Sequence, residues 1–202
     1  TTAQYPLNGL NAAMSGVRVI PSDDAGALLM VSESAVMVAE RNGSVYDVRF
    51  RHPDEGEKEG EGIVQADADW VNGDQFVYLD GDGTLHAYDR RNGENVTLLV
   101  KVNRFRLSRD RKAIAYFENG QDTVYAGKLQ GNNILYAQPV YQGVLPYFMD
   151  WSPDGKRLLI DGRKLYAQTG RTPRSASVAE PAEIRPNAAE AAEDQQLIIE
   201  FR

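Results

Sequence analysis

The chain contains no cysteine, which removes disulfides, thiolate metal ligands and a cysteine nucleophile together. Histidine is nearly absent as well, with only His52 and His86, so imidazole acid–base chemistry has few places to reside. No apolar run approaches the ~20 residues that a membrane-spanning helix needs. Runs such as 27–31 and 35–39 are strand-sized. A basic excess is also missing, and a net charge of −7 over 202 residues disfavours a dedicated nucleic-acid or anionic-membrane binder. No Gly-x-Ser-x-Gly elbow, His-Glu-x-x-His helix or Gly-x-x-x-x-Gly-Lys loop occurs. The expectation is a chain that is not an enzyme and that carries no cofactor or metal. Position 1 is not Met, and Thr1-Thr2-Ala3-Gln4 has no signal-peptide pattern, which reads as a processed or trimmed form.

What charge there is lies unevenly. Residues 54–61 (DEGEKEGE) form an acidic, glycine-broken run that reads as a solvated loop. Residues 101–112 (KVNRFRLSRDRK) carry six basic residues against one Asp, a local charge of +5.

A repeat organises the rest. Residues 150–162 (DWSPDGKRLLIDG) combine a bulky residue, a polar turn with Asp and Gly, and a short apolar run. The same shape recurs at 70–81 (WVNGDQFVYLDG), at 107–117 (LSRDRKAIAYF, with Arg111 in place of the turn glycine) and, more loosely, at 20–31 (IPSDDAGALLMV). With Ser22, Val71, Ser108 and Ser152 as equivalent positions, the spacings are 49, 37 and 44 residues. Periods near 40 point to propeller blades or helical solenoids. Strand chemistry selects the former. β-rich runs are separated by Asn42-Gly43, Asn92-Gly93 and Gly131-Asn132, pairs that tolerate the positive φ of tight hairpin turns. The central runs LLMV, FVYL, IAYF and LLI are apolar on both faces, as strands sandwiched between neighbouring sheets must be. The fold class expected is all-β, an array of about four four-stranded antiparallel blades, incomplete or closed by a terminal strand. Arg163 to Ala167 reads as the third strand of the last blade. The organisation is an N-terminal arm over 1–16, repeats over 17–178, and an Ala/Pro/Glu-rich linker over 179–202 that ends in the strand-like Leu197-Ile198-Ile199-Glu200-Phe201. Only 186–193 has helical composition.

Trp151-Ser152-Pro153-Asp154-Gly155-Lys156 followed by an apolar run resembles the repeat of TolB-like, WD40-like β-propellers, with degraded copies at Trp70 and Leu107. The resemblance spans 17–168. It implies a propeller module that is periplasmic or membrane-anchored outside the cytoplasm, a lipoprotein if a lipobox cysteine precedes Thr1. It implies protein partners in a multi-protein envelope complex. Such propellers also accompany peptidases, so the alternative is an accessory domain of a larger enzyme whose catalytic residues lie outside this chain.

Three places could bind. Arg104 and Arg106 alternate with Phe105 and Leu107, so both point away from the apolar face of a first strand. With Arg109 and Arg111 they could line a positive channel that captures carboxylates or phosphates; plain solvation is the competing reading. Tyr147 and Phe148 could form a recognition surface or pack between blades. Leu197 and Ile199 lie on a strand open to β-augmentation, and removing 179–202 is expected to weaken partner binding while sparing the core. Asp80-Gly81-Asp82-Gly83-Thr84 resembles the start of a calcium loop, but the twelfth position is Arg91 rather than Glu, which favours a hairpin turn.

Overall fold

The computed structural model describes residues 16–32, 35–50, 65–165 and 194–200. The acidic run with His52, the N-terminal 5–10 stretch and the helix-like 186–193 lie outside the described residues. Among the described residues, fifteen strands form four antiparallel sheets. The first blade holds β1 (Arg18–Pro21), β2 (Ala27–Val31), β3 (Ala35–Glu40) and β4 (Val45–Phe50) in sequential order. The second holds β5 (Asp67–Trp70), β6 (Gln75–Leu79), β7 (Leu85–Asp89) and β8 (Glu94–Leu99). The third holds β9 (Val102–Leu107), β10 (Ala113–Glu118), β11 (Thr123–Gln130) and β12 (Asn133–Gln142). The fourth holds β13 (Val144–Trp151), β14 (Arg157–Lys164) and β15 (Asp194–Glu200), with no fourth strand among the described residues.

The turn between the first two strands of a blade shows why the repeat carries Ser and Asp. Ser22, Ser108 and Ser152 each donate a hydroxyl to the carboxylate two residues on, Asp24, Asp110 and Asp154, at 2.6, 2.6 and 2.5 Å. The same hydroxyls accept the N–H of Ala27, Ala113 and Arg157 at 3.0, 2.9 and 2.9 Å, opening the second strand. The residue after each Asp has positive φ: 51° at Ala25, 62° at Arg111 and 67° at Gly155. Arg111 therefore fills a left-handed position that glycine adopts at least cost. In the second blade, Asn72 replaces the pair, its Oδ1 accepting the N–H of Asp74 and Gln75, both at 2.9 Å.

Burial follows from stacking. One apolar cluster joins the first and second blades through Leu29, Val38, Trp70, Phe76 and Tyr78. A second joins the second and third through Leu79, Leu85, Phe105 and Ile114. A third joins the third and fourth through Phe117, Val124, Met149, Trp151, Leu158 and Ile160. Each large side chain so buried contributes about 1.5–3 kcal/mol. The tryptophans repeat one hydrogen bond. Trp70 Nε1 donates to the Ile20 carbonyl at 2.9 Å, and Trp151 Nε1 to the Arg106 carbonyl at 3.1 Å. Ile20 and Arg106 each stand two residues before the repeat serine, so both bonds reach the same point on the preceding blade. Among the described residues, no apolar cluster joins the fourth blade to the first.

One expectation requires correction. Arg163 and Lys164 do not begin a third strand, because β14 runs through them and pairs with β13 from Trp151↔Leu158 to Val144↔Lys164. The third place is taken by β15, with Leu158 opposite Ile199 and Ile160 opposite Leu197. The physical reason is Gly162. A Cβ there would lie 2.4 Å from the Leu145 carbonyl oxygen and 2.7 Å from Pro146 Cα, so only glycine lets the long β14 pass β13 this closely.

Candidate interaction surface on the inner strands

The first strand of each blade, β1, β5, β9 and β13, carries the candidate surface. Along β5 and β9, Ala68, Trp70, Phe105 and Leu107 are buried, while Asp67, Asp69, Arg104 and Arg106 retain exposure between them. Position in the repeat sets which residues share a layer. Arg18, Asp67, Arg104 and Phe148 each stand four residues before Ser22, Val71, Ser108 and Ser152, so the stacking places them in one layer.

Within and beside that layer lies a network of charge. Asp67 accepts from Arg18 through Oδ1 and from Arg106 through Oδ2, bridging the first and third blades. Arg18 also donates to the Ala68 carbonyl at 3.1 Å, and Arg106 to the Phe105 carbonyl at 2.9 Å. Arg111 pairs with Asp69. Burial nevertheless pushes the Asp69 carboxyl above its ordinary range, against the pull of Arg111 and the Trp70 N–H. Arg104 donates to the Tyr147 carbonyl and, among the described residues, to no carboxylate. Burial, then repulsion from Arg106, lowers its guanidinium pKa, while Asp67 acts in the opposite direction. Arg18, Asp67, Asn103, Arg104 and Arg106 line a cleft of about 430 Å³ whose apolar walls include Val31 and Leu79.

Tyr147, whose carbonyl accepts from the cleft residue Arg104, and its neighbour Phe148 are 43% and 42% exposed. Strict alternation would bury one of two consecutive residues. A register shift between Pro146 and Phe148 turns both outward. The structure thus brings Arg104, Arg106 and Tyr147 together and leaves other expected residues elsewhere. Arg109 is exposed on the turn and is not part of the cleft wall; Arg111 is engaged by Asp69. Leu197 and Ile199 turn inward onto the cluster between the last two blades, so the outward apolar side chain of β15 is Ile198, 70% exposed. Arg18 and Asp67 are absent from the residues singled out above, although the four-residue offset from the repeat marker identifies both.

The Asp80 loop is a turn. Asp80 Oδ1 accepts the N–H of Asp82 and of Thr84, each at 2.9 Å, and Oδ2 lies 2.8 Å from His86 Nε2. Gly83 supplies the positive φ, at 78°. His86 stacks on Tyr78 with ring centroids 4.8 Å apart, which anchors the loop to the second blade.

No family model matches the chain, and no curated protein sequence matches it. Solved structures do. The chain is similar to a putative TolB from Agrobacterium tumefaciens at TM-score 0.55 and 14% identity, covering 79% of this chain and 58% of that one. It is similar to TolB from Acinetobacter baumannii at TM-score 0.51 and 16% identity, covering 74% and 41%. The N-terminal domain of Nup159 superposes at TM-score 0.52 and 13% identity, covering 92% and 45%. This chain therefore spans about half the length of the structures it matches. At these identities the likeness concerns fold. Among the described residues, the four stacked antiparallel sheets form a TolB-like β-propeller array of four blades, with no closed ring.

Proposed function

We propose that the chain is a non-enzymatic protein-interaction module that docks its partner at the inner-strand surface. The carrying observation is the bond from Arg104 to the Tyr147 carbonyl, which joins the positive cleft to two adjacent exposed aromatics. Arginine and tyrosine are the side chains most often responsible for binding energy at protein interfaces. We further propose that the module serves a bacterial envelope assembly, in the periplasm or anchored outside the cytoplasm. The support is the fold shared with TolB structures from two bacteria. Among the described residues no helix is long and apolar enough to cross a membrane.

The test is photo-cross-linking in the native cell, with a benzoylphenylalanine placed at Tyr147 or, as comparison, at Lys156. The proposal requires a discrete protein adduct from position 147 that position 156 does not give, recovered in the envelope fraction. Equal labelling from both positions would refute the docking surface, and recovery in the cytosol would refute the compartment.

A second reading has one observation in its favour. Since the chain spans 41–58% of the TolB structures it matches, it also suits an accessory propeller of a larger enzyme, with the catalytic residues outside 1–202. Sequencing the complete gene distinguishes the two: a catalytic domain in the same reading frame supports the accessory role.

A further inference from the structure

We infer that the cleft between Arg18, Arg104 and Arg106 is a carboxylate receptor, and that the docking segment of the partner is an acidic peptide. The inference rests on the interaction-module reading and names the chemistry of the partner. Three guanidiniums converge there and one carboxylate, Asp67, answers them, leaving an excess of two positive charges. Asp67 is occupied by Arg18 and Arg106, so the uncommitted donor is Arg104. A guanidinium offers five N–H groups in a planar fork, and among the described residues Arg104 uses one nitrogen, on the Tyr147 carbonyl. The remaining donors match the two oxygens of a carboxylate. Burial first, and like-charge repulsion from Arg106 second, disfavour the charged form of Arg104, and an incoming anion offsets the repulsion. Val31 and Leu79 form low-dielectric walls that concentrate the field in the cleft.

The surroundings select a peptide over free phosphate. Phosphate sites commonly use helix N-termini or nests of consecutive backbone N–H groups, and this cleft is built on extended inner strands. A dianion would also face Asp67, whereas single carboxylates spaced along a chain meet the arginines one at a time. Tyr147 and Phe148 beside the cleft give apolar contact to neighbouring peptide side chains and nothing to a free ion. A chain of net charge −7 repels acidic segments over most of its surface, so the cleft also sets where such a segment lands.

The test is fluorescence anisotropy of a fluorescein-labelled hexaglutamate peptide on the 202-residue protein at low ionic strength, with inorganic phosphate as competitor at matched ionic strength. Arg104→Gln should weaken binding about tenfold, and Arg18→Gln by a comparable factor. Lys156→Gln, which removes the same charge from a distant exposed turn, should leave affinity within about twofold. Arg104→Lys should restore part of the loss, because charge returns without the fork. Circular dichroism establishes that each variant is folded. The proposal is overturned if the peptide does not bind, if Lys156→Gln costs as much as Arg104→Gln, or if phosphate displaces the peptide at matched ionic strength. A discrete adduct from position 147 with no hexaglutamate binding would retain the docking surface and reject its acidic ligand. Hexaglutamate binding without an adduct would do the reverse.

Discussion

At the scale of single residues, the repeat is a device for holding one carboxylate in one turn. The Ser22, Ser108 and Ser152 hydroxyls are the first cause of the lowered pKa values of Asp24, Asp110 and Asp154, with backbone N–H groups second. A carboxyl whose pKa is depressed in the folded state adds stability above its unfolded value, near 3.9, and loses that contribution as pH falls through the folded value. Melting temperature should therefore decline on acidification below about pH 4, and Asp110→Asn should flatten that decline in a pH-resolved thermal melt. Asp69 runs the other way, because its raised pKa means that ionisation costs stability as pH rises through the folded value. Backbone conformation gives a second prediction. A Cβ at Gly155 would meet only ordinary contacts, 3.7 Å from Ser108 Cβ, so the cost of Gly155→Ala is its φ of 67° alone. That cost is about 1 kcal/mol, and Ala25→Gly should stabilise by a similar amount at the equivalent turn position, both measurable by urea unfolding. This turn was readable in the sequence because Ser, Asp and Gly fix a local geometry. The bulge that exposes both Tyr147 and Phe148 was not, because alternation read along β13 gives no sign of a register shift at Pro146.

At the scale of elements, the same dipeptide has two meanings. Asp80-Gly81 lies in a turn, whereas Asp161-Gly162 lies within β14, where glycine serves a close approach rather than a reversal. Sequence alone cannot separate these, since the second depends on how near Leu145 and Pro146 pass. Gly162→Ala should accordingly destabilise by about 3 kcal/mol, through steric overlap with backbone that cannot move aside. The terminal strand was legible as a strand and as a candidate to complete the last blade, but its pairing with β14 was not, because β14 lies some thirty residues earlier and only packing selects it. Its placement changes the expected effect of removing 179–202. Loss of β15 exposes an edge of β14 and uncovers the cluster that Leu197 and Ile199 help to cover. The truncated chain should melt several degrees lower, as calorimetry would show, instead of keeping an intact core. Unchanged melting would mean that β15 adds nothing to the fourth blade.

At the scale of the molecule, the blades are alike where they meet and unlike at the end of the array. The β10 residues Ala113, Ala115 and Phe117, which face the fourth blade, are all buried. The equivalent residues of the fourth blade are Arg157, Leu159 and Asp161, and two of these are charged. Leu159 lies opposite the exposed Ile198, so this face keeps an apolar strip between its two charges. The inner strands depart from repetition in a different sense: the layer of Arg18, Asp67, Arg104 and Phe148 holds three different side-chain types. Packing explains the repeated positions, and the varied ones carry the proposed docking surface. Calorimetry on the partner captured through position 147 tests this division most directly, comparing the unmodified chain with the double variant Tyr147→Ser, Phe148→Ser. Affinity should fall about a hundredfold with the melting temperature unchanged, since both side chains are exposed rather than part of the core. Unchanged affinity, or a loss accompanied by lowered melting temperature, would contradict this division.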